Sequence, residues 1–270
     1  MKVRRPMIDF SATPVHWCQT AEFAQGMNAA SLWIPHLERF LNRVLTKALT
    51  TLAPASPETP HLKAVSRTFI RQESNHYALH ESFNTILSSN GYDTAPLAAH
   101  FAAEFERLFR TKSLDFLVAY CEGFEALGPP HALVWLDEIE TLLADARPEV
   151  VDLWKWHLME EYEHRTVCHD IFHAVHGGYF MRIYGFFYQL WHLRGFTKLA
   201  LHMLNQKDRA TMTKAQIAAS KRRGKAVNRT IGRLVLPRLL KVLSPWYDPR
   251  RSPEPKAYRS HMAEVESRFA

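Results

Sequence analysis

Carboxylate and imidazole side chains occupy the middle of two helical seams whose ends are apolar. At alternating steps of three and four residues, one seam reads Phe69, Glu73, His76, His80, Phe83, Leu87. The other reads Trp154, His157, Glu161, His164, Cys168, Ile171, Val175. Residues three and four apart share a helix face, so the apolar ends demand burial and take the polar middle into the core with them. A buried ionised carboxylate without a partner costs on the order of several kcal/mol. A chain with this pattern therefore needs counter-charges inside its core.

Each seam contains Glu-x-x-His, Glu73-Ser74-Asn75-His76 and Glu161-Tyr162-Glu163-His164, so a carboxylate and an imidazole converge on one point. Two other helical segments offer a single central Glu. One seam runs Ile34, Glu38, Leu41, Leu45, and the other Leu114, Val118, Glu122. The order Glu, Glu-x-x-His, Glu, Glu-x-x-His is the ligand set of a carboxylate-bridged di-metal helix bundle. It predicts Glu38, Glu73, His76, Glu122, Glu161 and His164 as metal ligands. Glu125 lies three residues from Glu122 and either can serve, Glu122 fitting the seam better. His80, Glu125, His157 and Asp170 are expected to support the ligands from behind, Asp170 by accepting a ligand's outer N–H. Glu160 and Glu163 point elsewhere on their helix and read as solvated or supporting. Tyr77, Tyr120, Tyr162, Cys121 and Cys168 read as core packing. Two divalent ions cancel the charge of four carboxylates and accept neutral imidazoles. The donor types suit iron, a manganese–iron pair or zinc, while the missing thiolates disfavour copper(I) and iron–sulfur clusters.

The rest of the chain fits an all-α domain. Nearly every periodic segment repeats at three and four residues and none alternates as a strand. Helices are expected over about 20–52, 61–89, 95–108, 112–126, 131–146, one long helix from 148 to 175, 179–205, and 213–243 with an interruption at Pro237. Gly128-Pro129-Pro130 and Gly177-Gly178 are read as stops, and residues 245–255 as an extended, proline-punctuated stretch. The expected organisation is a ferritin-like four-helix bundle over residues 1–178. An aromatic and then basic helical extension over 179–270 packs on it as one domain.

Charge divides the chain in the same place. Residues 194–270 hold 18 basic and 5 acidic residues, net +13, and the remainder is net −6. The run Lys221-Arg222-Arg223-Gly224-Lys225 and the aromatic stretch from Tyr179 to Trp191 favour peripheral membrane or protein contact over nucleic acid. The aromatic stretch also serves as a substrate channel or as packing over the bundle. Three cysteines without C-x-x-C spacing argue against a disulfide framework, so a reducing, cytoplasmic setting is expected. There is no G-x-S-x-G, P-loop or G-x-G-x-x-G. His80-Glu81 lacks the second His of a zinc-protease helix, position 84 being Asn84.

Gln72-Glu73-Ser74-Asn75-His76-Tyr77-Ala78-Leu79-His80 and Trp154-Lys155-Trp156-His157 continuing through Glu160-Glu161-Tyr162-Glu163-His164 resemble a bacterial family of predicted metal-dependent hydrolases. In that family Q-E-x-x-H-x-x-x-H precedes W-x-W-H-x-x-E-E-x-E-H. The resemblance covers roughly residues 5–255 and departs at Asp248-Pro249-Arg250-Arg251-Ser252-Pro253, where the family shows Pro-Gly-Phe-His-Pro-Trp. The ligand order is also similar to the ferritin-like di-iron carboxylate proteins, which implies the same six ligands with Glu73 or Glu161 as bridge. The expectation drawn from both is an oxidoreductase whose di-iron or Mn/Fe centre activates O2 on an apolar small molecule. The alternatives are a di-metal hydrolase and a non-enzymatic metal-binding module; a homodimer is compatible with either.

Overall fold

The computed structural model describes residues 1–268 and is all-α, with no β-strand among the described residues. The helices are α1 (Ala21–Thr51), α2 (Thr59–Ser89), α3 (Ala95–Thr111), α4 (Leu114–Glu125), α5 (Gly128–Asp137), α6 (Glu140–Leu143), α7 (Pro148–His164), α8 (Val167–Val175), α9 (Tyr179–Asp208), α10 (Lys214–Leu239) and α11 (Tyr258–Arg268). The last two residues of the expected 179–270 extension lie outside the described residues. No helix among the described residues is long and apolar enough to cross a membrane.

The long antiparallel-length pair α1 and α2 packs side by side, and α4, α7 and α8 close the other side of the core. Buried Phe40, Leu41 and Leu45 of α1 and Phe69, Phe83 and Leu87 of α2 surround the acidic residues of those helices along the sequence and belong to the core. The short α4 begins where Ser113 Oγ accepts the Phe116 N–H and is covered from outside by α9. That approach is close: a Cβ on Gly185 would stand 2.5 Å from the Ala119 backbone, so no larger residue fits. The opposite face of α9 leaves Phe180, Tyr184, Phe187 and Trp191 exposed, so only one side of the aromatic stretch packs on the bundle.

Several boundaries differ from the sequence reading: the helix expected over 131–146 is split into α5 and α6, and α10 runs through Pro237, where an interruption was expected. Pro129-Pro130 does not end a helix but opens α5, since prolines in a first turn lose no helical N–H bond. The expected helix from 148 to 175 is two helices, because Arg165 and Thr166 turn the chain between α7 and α8, directly after His164. Residues 249–251, expected to be extended, form a 3₁₀ turn.

Pro35 sits inside α1, where its missing N–H leaves the Ser31 carbonyl without its helical donor. The Asn84 side chain of α2 supplies one: Asn84 Nδ2 donates to Ser31 O at 2.9 Å. A buried carbonyl is thus satisfied across the α1–α2 interface, and the orientation of Asn84 is set by it.

Candidate metal centre

Four helices bring seven buried side chains to one place. α1 supplies Glu38, α2 supplies Glu73 and His76, α4 supplies Glu125, and α7 supplies His157, Glu161 and His164. Two overlapping quartets are close enough to hold an ion: Glu38, His76, His157 and Glu161, and Glu73, His76, Glu161 and His164. Glu161 Oε1 is the hub, lying 3.4 Å from His157 Nε2, 3.7 Å from His76 Nδ1 and 3.9 Å from His164 Nδ1. His76 Nδ1 also lies 3.8 Å from Glu38 Oε1 and 3.7 Å from Glu73 Oε1.

The outer side of each imidazole is tied down, and the ties decide which nitrogen carries the proton. Gln72 Nε2 donates to Lys2 O and Glu163 Oε2, so its Oε1 is left to accept from His164 Nε2–H at 3.2 Å. His76 Nε2–H donates to Glu160 Oε2 at 3.1 Å, and Arg4 holds the other oxygen of that carboxylate at 3.1 Å. His157 is fixed by a longer chain that begins at Pro35. With Asn84 Nδ2 committed to Ser31 O, Asn84 Oδ1 must accept, and Ser31 Oγ–H donates to it at 2.6 Å. Ser31 Oγ therefore accepts from His80 Nδ1–H at 2.8 Å, and His80 Nε2 accepts from His157 Nδ1–H at 3.1 Å.

All three ligand-facing nitrogens, His76 Nδ1, His157 Nε2 and His164 Nδ1, consequently turn lone pairs inward. They meet carboxyl groups. His164 Nδ1 and Glu73 Oε1 lie 2.7 Å apart, which sets two electron pairs against each other once Glu73 is ionised. Both oxygens of Glu38, Glu73 and Glu125, Glu161 Oε1, His76 Nδ1 and His164 Nδ1 are buried with no hydrogen-bond partner among the described residues. Leaving one such atom unsatisfied costs about 1–3 kcal/mol, so nine together make this a site where a cation would be stabilised. Four carboxylates and three imidazole lone pairs are the donor set of divalent iron, manganese or zinc, and the residues fit such ions.

The electrostatics agree. Burial, then mutual repulsion, pushes the Glu38 and Glu125 carboxyls well above the usual range and Glu161 up to about 8. Glu73 is raised by burial and then by Glu160. Glu160 itself rises to about 7 through burial, against the pull of His164 and Arg4. Burial first, then neighbouring imidazoles, holds His76, His80 and His157 well below the ordinary histidine value, and burial also lowers His164. Protein groups alone keep the carboxyls protonated and the imidazoles neutral. A cation reverses the first effect and exploits the second.

The expected ligands do not all meet here. Glu38, Glu73, His76, Glu161 and His164 do; Glu122 does not. Its carboxylate is turned toward His169 of α8, 3.2 Å away, and toward Arg182 of α9 at 3.9 Å. Glu125, one turn later on α4, stands among the other three carboxylates instead. Asp170 supports no histidine, because both its oxygens accept from Arg250 at 2.6 Å near the surface. His80 stands behind His157, and His157 itself faces the cluster. Glu163 is half-buried against Arg4, Gln72 and Tyr258. Tyr120 bonds His192 and Tyr162 bonds the Ser252 carbonyl, both away from the cluster.

The contributions of Arg4, Ser31, Gln72 and Asn84 escape the sequence reading, while Glu160 takes the supporting one of its two expected roles. His157, expected behind the ligands, faces the cluster instead; the signal was its position four residues before Glu161 and seven before His164 on one face of α7. Apolar rings fill the remaining space, with Phe69 4.6 Å from the His164 ring and Trp156 4.8 Å from His76.

No curated protein and no solved structure matches the chain. The sequence model of one family, described as predicted metal-dependent hydrolase, matches residues 2–252, a span that includes every residue of the cluster. The chain belongs to that family of predicted metal-dependent hydrolases.

Proposed function

We propose that the chain is a two-metal hydrolase whose ions are held by Glu38, Glu73, His76, His157, Glu161 and His164, with Glu125 as the remaining carboxylate. The observation that carries this is the set of buried, unpartnered carboxylate oxygens facing three imidazole lone pairs. Family membership favours hydrolysis over the oxygen activation expected from the ligand order, which has only that order behind it. The six ligands come from three helices, α1, α2 and α7, with α4 adding Glu125, and this four-helix origin of the cluster supports the ferritin-like bundle reading. Iron, manganese and zinc all match the donors.

Glu161, one of whose oxygens lies within 3.9 Å of all three inward nitrogens, would hold ions together with those imidazoles. His76, which belongs to both quartets, would contribute its single inward nitrogen. Divalent ions bound here supply Lewis acidity toward a carbonyl or phosphoryl oxygen and make water nucleophilic at neutral pH. Glu125, beside the other carboxylates and with no hydrogen-bond partner for either oxygen among the described residues, would accept the proton of the attacking water. The ties through Glu160, Gln72 and His80 keep each imidazole in its lone-pair-inward tautomer during turnover.

The test is anaerobic hydrolysis of 4-nitrophenyl acetate and bis(4-nitrophenyl) phosphate by zinc- or manganese-loaded protein. Turnover of either, abolished by chelation and by Glu125→Gln, is the expected result. Rapid O2 consumption by the ferrous protein with no hydrolysis would replace this reading with the oxidative one.

A further inference from the structure

We propose that the cleft beside the α4–α5 turn, on the outer side of the segment that carries Glu125, is a binding site for an organic acid with an apolar body. Its link to the centre relies on the two-metal reading; its ligand chemistry does not. The cleft has a volume of about 320 Å³, within the range of small-molecule sites.

The wall between cleft and cluster is one chain thick. Residues 125–130 present Glu125 to the carboxylate cluster, and Gly128 backs directly onto Glu161, where an added Cβ would lie 3.0 Å from the Glu161 carbonyl oxygen. From the same turn, Ala126, Pro129 and Pro130 line the cleft. On the other side Tyr247 lines the cleft and backs onto His169, with ring centroids 5.8 Å apart. Arg182 lies 5.3 Å from the same Tyr247 ring. The cleft thus meets the turn that carries Glu125 directly, and the two groups that hold Glu122 only through Tyr247.

The charges lining it are unbalanced. Arg238 is paired with Glu138, and Asp248 with Arg250. Lys241 and Arg251 also line the cleft, are exposed, and have no carboxylate partner among the described residues. Leu133, Val242, Pro253 and the exposed Trp246 supply the apolar surface between them. Two spare cations over a proline, leucine and tryptophan wall select an anionic head joined to an apolar body, through charge attraction and burial acting together.

The experiment is calorimetric titration of metal-loaded protein with decanoate, with decanol as the uncharged control, for wild type and K241E/R251E. Both substitutions are on exposed side chains, and metal content and thermal unfolding are read in parallel. Decanoate binding that weakens at least about tenfold in the double variant, and at least about tenfold for decanol in wild type, is expected, with metal content unchanged. Absent decanoate binding, or binding indifferent to the charge reversal, overturns the cleft assignment while leaving the metal centre intact. Charge-dependent binding to folded protein that takes up no metal upholds the ligand chemistry and removes the two-metal reading alone.

Discussion

Glu122 and Glu125 stand one helical turn apart on α4, both about 1% exposed, yet they live in opposite circumstances. Glu122 has an imidazole at 3.2 Å and a guanidinium at 3.9 Å, and that guanidinium also donates to the Val242 and Ser244 carbonyls. Glu125 has other carboxylates for neighbours and no donor for either oxygen. The first has one oxygen, Oε1, paired within the protein, although its Oε2 is also buried without a hydrogen-bond partner among the described residues. The second belongs to a cluster that is complete only with added positive charge. What separates the two is that Glu122 has an imidazole and a guanidinium beside it, whereas neither oxygen of Glu125 has a protein donor among the described residues.

Removing the partnerless side should have the largest effect. Glu161→Ala and His164→Ala are expected to lose essentially all bound metal, read by mass spectrometry of the purified variants. Glu122→Gln, in contrast, should keep its metal. It should lose about 3 kcal/mol of stability in denaturant unfolding, the low end for breaking a buried pair because Arg182 keeps two carbonyl acceptors. Metal loss in Glu122→Gln with retention in Glu125→Gln would reverse the comparison.

The pH dependence sharpens it. In metal-free protein the cluster carboxyls titrate above their unfolded value of 4.5, Glu161 at about 8. Such groups bind more protons folded than unfolded across that window, so their stability contribution is present at low pH and lost as pH rises through the folded value. The depressed histidines act oppositely but only below their unfolded value of 6.5. Between about pH 6.5 and 8 the carboxyls act alone. The melting temperature of chelated protein should therefore fall over that interval, and metal-loaded protein should stay level. Equal slopes in scanning calorimetry would mean that no ion sits among these carboxylates.

A smaller effect is expected from the tie behind His157. Asn84→Ala frees Ser31 Oγ and removes the donor to the Ser31 carbonyl, so His80 and His157 lose their enforced tautomers. Metal affinity should drop about 10–100-fold, as for other groups behind a ligating histidine. Asp170→Asn, which breaks an exposed pair with Arg250, should change stability by less than about 1 kcal/mol and leave metal content alone.

The contrast within α4 also explains what the sequence could reveal. Periodicity exposed the helices and the two Glu-x-x-His seams, because those signals are local to one helix. The choice between Glu122 and Glu125 depended on His169 and Arg182, which arrive from α8 and α9 and have no local signature. The same holds for Asn84, whose role follows from Pro35 half a helix away in a different element. Pro129-Pro130 carries equal local meaning as a stop or a start, and only packing of α5 against α7 decides it.

Metal content per chain, measured on protein purified without chelator and again after incubation with Fe2+, Mn2+ or Zn2+, tests the central claim most directly. Two divalent ions per folded chain are predicted, falling to none in Glu161→Ala. A folded wild-type chain that takes up no ion under any of these conditions would contradict it.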